Sequence, residues 1–180
     1  MKRGLYRRMV LLAGVVAFAG GAAEAREPPS PNSSSVRDEA ADRAAIEQLV
    51  VEYCYLLDHG RAREIADLFT PDGMFDNPNM GLRLVGREAI AAYYARRAAE
   101  PRTTRHISTN LRLVFETPDR ASGTRTILYY RGDTGTPPFP AKPGSVGEYT
   151  EVFQRGEDGR WRFASRKSRL LFTGSRNDGQ

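Results

Sequence analysis

The sequence predicts a small α+β domain, with three helices followed by a curved antiparallel sheet. Apolar residues recur at helical spacing through the part of the chain before residue 100, and from Thr104 onward the period shortens to two. Long strands gathered after the helices in this way pack as a sheet with the helices on one side. No internal repeat or heptad pattern interrupts the order.

Before the domain comes a segment of different character. Lys2, Arg3, Arg7 and Arg8 form a basic region, Met9 through Ala23 carries no charge and is rich in Gly and Ala, and Ala23-Glu24-Ala25 offers small residues for cleavage. That order predicts a cleavable export signal over residues 1–25. The uncharged stretch is shorter than the roughly 20 apolar residues that span a bilayer, so no stable membrane insertion is expected after cleavage. Arg7-Arg8 resembles a twin-arginine signal, although Tyr6 stands where that motif prefers Ser or Thr. The expected destination is the periplasm or the medium. The whole chain carries a formal charge of +5. The signal holds +3 of it and leaves the mature part only +2, so the basic balance does not argue for nucleic acid as a partner. Cys54 is the single cysteine, and the domain must stand on its core without an internal disulfide.

Residues 26–37 are Pro/Ser-rich and predict a flexible tether, and 38–173 the folded domain, with a disordered tail over 174–180. Ile46, Leu49, Val50, Tyr53 and Leu57 mark one face of a first helix ending near Asp58, where Gly60 can take the left-handed conformation that stops it. A short helix over 63–69 follows, then Thr70-Pro71-Asp72-Gly73 as a turn, short strands at 74–75 and 82–85, and a third helix over 86–99 packing through Ile90, Tyr93 and Tyr94. Leu111, Leu113 and Phe115 alternate with polar residues on the first long strand. Further strands are expected at 124–131, 147–154 and 160–172. The Pro- and Gly-rich stretch 133–147 reads as a long hairpin loop near the mouth of any pocket.

Chemistry converges on few residues. His106 opens the most sheet-like segment, and an imidazole can take and return a proton near neutral pH. If Leu111, Leu113 and Phe115 face the helices, strict alternation puts His106, Ser108 and Asn110 on the opposite side, and a bulge would reverse that relation. Asp58 ends an apolar run and is the candidate carboxylate to orient His106. Tyr53 could donate its phenolic proton to a substrate oxygen. On an ideal helix, however, it points about 140° away from Asp58, whereas Tyr55 lies three residues from it and is the alternative. His59 reads as a capping or solvated residue and Cys54 as packing. Two separated histidines do not make a zinc site, the Gly-rich fingerprints of nucleotide cofactors are missing, and no serine sits in a nucleophile elbow. No metal or cofactor is expected.

Several stretches, in this order, resemble the SnoaL-like branch of the nuclear transport factor 2-like superfamily. They are Ala45-Ile46-Glu47-Gln48-Leu49-Val50-Val51-Glu52-Tyr53, Leu57-Asp58-His59-Gly60, and Ile65 through Gly73. Gly86-Arg87-Glu88-Ala89-Ile90, Arg105-His106-Ile107-Ser108-Thr109-Asn110 and Asp158-Gly159-Arg160-Trp161-Arg162-Phe163 complete the set. The resemblance implies a cone-shaped curved sheet closed by helices around a pocket, and a homodimer through paired sheet faces. It is partly similar to scytalone dehydratase and bile-acid dehydratase. That similarity implies that Tyr53 polarises a carbonyl, Asp58 orients the imidazole and His106 abstracts the neighbouring proton. Asn110 would bind a substrate oxygen, and Arg166 or Arg169 would neutralise developing negative charge. A scytalone-type site uses a second histidine from a later strand; this sequence has none after His106, and Tyr129 and Tyr130 occupy that general region. The implied function is a cofactor-free dehydratase or isomerase acting on a small hydrophobic oxygenated ring compound. The alternative is a non-catalytic periplasmic ligand-binding or assembly module with the same fold.

The export signal has a direct check. Protein recovered from its exporting host should begin at Arg26 by intact-mass measurement; a chain that retains residues 1–25 would contradict cleavage.

Overall fold

The computed structural model describes residues 33–100, 102–132 and 135–174, with the side chains of 33–38 left aside. The export segment, residues 26–32 of the expected tether and 175–180 of the expected tail lie outside the described residues. Helix α1 covers Ser33–Asp58, so residues 33–37, expected in the tether, are helical. A 3-10 helix, Ala62–Leu68, takes the place of the second helix. Strand β1 (Phe69–Asn77), a short 3-10 turn (Pro78–Met80), β2 (Leu82–Val85) and α2 (Arg87–Arg97) follow. The remainder is β3 (Thr103–Thr117), β4 (Arg120–Gly132), β5 (Ser145–Arg155) and β6 (Trp161–Thr173). No helix among the described residues is long and apolar enough to cross a membrane.

The six strands form one curved, unclosed sheet in the order β2-β1-β6-β5-β4-β3. It is mixed where a purely antiparallel sheet was expected, because β1 and β6 pair in parallel. No turn joins those two strands. The chain passes from β2 through α2 to the far edge, and three hairpin reversals bring β6 back beside β1. The Thr70-Pro71-Asp72-Gly73 turn is a second correction: it lies inside β1, as an irregularity where register slips between Phe69 and Met74. Gly73 permits that kink, since a Cβ there would come within 3.0 Å of Phe69 Cβ and the Thr70 carbonyl.

α1 buries Ile46, Leu49, Val50, Tyr53 and Leu56 against the concave side of the sheet, where Phe69, Phe153 and Phe163 meet them with no exposure. Gly60 stops the helix at φ +74°, as its position predicts. Three ionic side chains lie on the same side of the sheet in unusual depth. Arg125 on β4, Glu151 on β5 and Arg166 on β6 have fully buried side chains. Arg125 grips Glu151 in a bidentate pair at 2.9 and 3.0 Å and donates to Ser108 Oγ at 2.6 Å. Arg166 approaches the same carboxylate to 3.1 Å without hydrogen-bond geometry and lies against the Tyr53 and Tyr149 rings, 3.4 and 4.0 Å from their centroids. One carboxylate thus serves two buried cations, and aromatic faces supply the remaining counter-charge.

Removing that carboxylate leaves both guanidinium groups uncompensated. Glu151→Gln should cost about 3–5 kcal/mol of stability in urea unfolding; a loss below about 1 kcal/mol would mean that the arginines do not depend on it.

Candidate active site

The site begins at the last turn of α1. Tyr53 and Leu57 are four residues apart, so they share one face, and both line a cavity of about 610 Å³. Asp58 points elsewhere, toward β3, with its side chain 5 % exposed. The helical offset between Tyr53 and Asp58 is therefore no obstacle: Tyr53 faces the cavity, and Asp58 stands behind the wall. The helix end is well closed. Tyr55 O accepts from the His59 backbone N–H at 3.0 Å and lies 2.8 Å from its ring Nδ1, Leu56 O accepts from Arg61 N, and Asp58 O from Arg105 at 3.2 Å.

On β3 the direction of each side chain is decided by one residue. Thr104, His106 and Ser108 turn inward while Arg105 and Ile107 are exposed. Strict alternation would then send Leu111, Leu113 and Phe115 outward. Instead the β3–β4 register shifts between Thr109 and Arg112, and Asn110 adopts φ +56°. The bulge inserts the odd residue that brings Leu113 into the core on the same side as His106. His106 and the core leucines thus share the concave face, and Asn110 itself is exposed.

β3 is an edge strand, and Asp58 covers its open side next to His106. Asp58 Oδ2 accepts the His106 backbone N–H at 2.7 Å, while Oδ1 accepts the Thr104 hydroxyl at 2.8 Å and lies 2.6 Å from His106 Nδ1. With the carboxylate ionised, Nδ1 must carry the proton, which leaves Nε2 as the basic nitrogen. Burial by itself would raise the Asp58 carboxyl. The bond and charge of the His106 ring, the His106 backbone N–H and the Thr104 hydroxyl outweigh it and hold the group below the ordinary carboxylate range.

The cavity that His106 lines also presents two phenols. Tyr53 Oη and Tyr94 Oη, the latter from α2, are 2.5 Å apart, and both residues are about 2 % exposed. Burial raises the Tyr53 hydroxyl well above its ordinary value, against the opposing pull of Arg166, and Tyr94 is raised likewise by burial and then by Tyr53. Both therefore stay protonated. One proton bridges the pair, and the other is free to be donated into the cavity.

The remaining expected residues divide. Tyr129 lines the cavity, its ring 4.9 Å from that of His106. Arg169 lines it too, exposed and 3.3 Å from Glu148. Arg166 is buried beneath Tyr53 and contributes no surface to the cavity, because the aromatic floor covers it. Tyr55 is displaced from the site: it is 46 % exposed and stacks on His59 at 4.1 Å, since the helix turn that buries Tyr53 turns its second neighbour outward. Asn110 is likewise outside, at the bulge. Tyr94 was expected only to pack. Its signal was a tyrosine on the buried face of an amphipathic helix, whose hydroxyl needs a partner.

The profile of the SnoaL-like domain family matches residues 38–167. A search of curated proteins finds no match. Among solved structures, a provisionally assigned scytalone dehydratase from Novosphingobium aromaticivorans is 24 % identical with a TM-score of 0.67, the match covering 77 % of this chain and 90 % of that one. A hexachlorocyclohexane dehydrochlorinase from Novosphingobium barchaimii is 20 % identical, with a TM-score of 0.62 and coverage of 77 % and 92 %. A nuclear transport factor 2-like protein with a cystatin-like fold, also from N. aromaticivorans, is 25 % identical at a TM-score of 0.64, covering 79 % and 91 %. At these identities the first two speak for the fold alone.

Asp58 also links stability to pH. Its folded carboxyl titrates below the unfolded value of about 3.9, so its contribution is present above that value and is lost as pH falls through the folded one. Asp58→Asn should be less stable than the parent by about 2 kcal/mol near neutrality, and the two should converge in urea titrations once the pH has fallen through the lowered titration of the folded carboxyl. A difference that persists undiminished into acid would refute this role.

Proposed function

The chain belongs to the SnoaL-like domain family, and from that premise we propose that it is a cofactor-free dehydratase or isomerase for a small hydrophobic ring ketone. The observation that carries the proposal is the Asp58–His106 pair, closed at 2.6 Å, at a cavity that the Tyr53–Tyr94 pair also lines. Nδ1–H is committed to Asp58, so His106 Nε2 is the atom that takes a proton from the carbon next to the substrate carbonyl. The electron pair left behind moves onto the carbonyl oxygen, and the free phenolic proton of the tyrosine pair stabilises the enolate as it forms. Tyr94 donating to Tyr53 strengthens the outward donation of Tyr53, because hydrogen bonds in a chain polarise one another. Arg166 acts through the Tyr53 ring, stabilising the negative charge that builds up on that side without touching substrate.

The protonated His106 then has two courses. Returning its proton to a hydroxyl leaving group at the β carbon expels water and completes a dehydration. Returning it to another carbon completes an isomerisation. Two proteins that share the fold carry the names of elimination enzymes, a dehydratase and a dehydrochlorinase, the class of reaction this arrangement suits. Of the two readings, the engaged pair beside an open cavity favours catalysis over a ligand-binding or assembly module. A volume of about 610 Å³ fits a compound of two to four rings. Export of the mature chain is part of the same proposal and places this chemistry outside the cytoplasm.

On a turned-over ring ketone, His106→Ala should lower kcat by about 10³-fold and leave KM within a few-fold. Tyr53→Phe should lower kcat by about 10²-fold. Full turnover in His106→Ala would overturn the mechanism.

A further inference from the structure

The cavity has two chemically different ends. Its deep end holds the His106 ring and the buried Tyr53 and Tyr94 hydroxyls. Its outer end is built by the last turn of α2, the segment after it and the end of β4, which bring Arg97, Arg102 and Arg131 onto one wall. Arg96 stands on the same wall, more exposed. The carboxylates among the lining residues are Glu100, paired with Arg102, and Glu148, 3.3 Å from Arg169.

Arg97 is the centre of this group. It is half-buried, and burial first, then the neighbouring charge of Arg102, lowers its hold on its proton; the phenols of Tyr129 and Tyr93 oppose this, and Arg131 adds to it. A charge run on a solvated helix face would not bring arginines from α2, the segment after it and β4 to the lining of one cavity. Glu100 offsets part of the Arg102 charge, yet Arg102 and Arg131 still act on Arg97 as like charges, and an anion beside Arg97 relieves that repulsion. Guanidinium groups also match carboxylate and phosphate oxygens in forked geometry. Tyr129 bridges the two ends, its ring 4.9 Å from His106 and its phenol within electrostatic reach of Arg97.

We propose that Arg97, Arg102 and Arg131 form an anion subsite at the mouth of the cavity, and that the substrate is a ring compound bearing a carboxylate or phosphate tail. This deepens the reading of the preceding subsection and rests on it. The tail stays at the mouth among the arginines, Tyr129 packs along the ring system, and the carbonyl reaches the tyrosine pair. The fixed positive field also draws an anionic substrate toward the opening, an effect that salt weakens.

The test uses two fluorescent probes on the purified mature chain. 8-Anilinonaphthalene-1-sulfonate and N-phenyl-1-naphthylamine share an aromatic body and differ by one sulfonate. The sulfonate should bind about tenfold more tightly, and that preference should disappear in Arg97→Gln, in Arg102→Gln and at about 0.5 M salt. The neutral probe should bind all three forms alike, and Ile127→Trp, which fills the cavity, should abolish both. Octanoate and octyl phosphate then compete for the sulfonate probe, and the stronger competitor identifies the tail. Equal binding of both probes, unaltered by the arginine substitutions, overturns the anion subsite and leaves the His106 mechanism standing. Binding that survives Ile127→Trp unchanged lies outside the cavity and overturns the subsite as well. The catalytic reading fails by its own measurement, full turnover in His106→Ala.

Discussion

The structure turns on the Asp58 carboxylate. A helix must end somewhere, an edge strand must leave backbone groups open, and an imidazole used as a base must have its tautomer set. Asp58 meets all three requirements with two oxygens. It closes α1 onto β3, accepts the His106 backbone N–H that no strand pairs, and holds the proton on Nδ1. The Thr104 hydroxyl completes its coordination. The ionised form is favoured by these donors despite burial, so the clamp and the orientation of the imidazole are the same set of bonds. Packing between the helix and the sheet is thereby tied to the position of the Nε2 lone pair.

A second layer lies beneath the cavity. Arg125, Glu151 and Arg166 place a net positive charge under a floor of tyrosine rings. Burial favours the neutral form of Tyr53, while Arg166 favours the phenolate. The outcome is a protonated phenol with a cation behind its ring. A polar cavity wall thus rests on buried ions, and the apolar core begins only with Phe69, Phe153 and Phe163.

Much of this was legible in the residues. The helical face of α1, the stop at Gly60, the two-residue period of β3 and the scarcity of histidine all lead to Asp58 and His106. The resemblance to SnoaL-like domains points to the same pair and to Tyr53. Other positions were not legible. Tyr55 and Tyr53 are both tyrosines on one helix, and only the direction of burial separates them: one is 46 % exposed, the other 2 %. Asn110 reads as the continuation of a face, yet it is the bulge that ends it. Arg166 reads as a cavity residue on a strand, and it lies one layer deeper because Tyr53 and Tyr149 cover it.

The sequence by itself determined the order of helices and long strands, the family and the Asp58–His106 pair, because each of these is carried by local spacing or by a rare residue type. Tertiary structure alone decided which face of β3 His106 shares with the core, that β1 and β6 run parallel, and which tyrosine and which arginines meet the cavity. Those outcomes depend on register. One extra residue in a strand reverses every side chain after it, and periodicity does not reveal where that residue will be inserted until the strand has a partner to pair with.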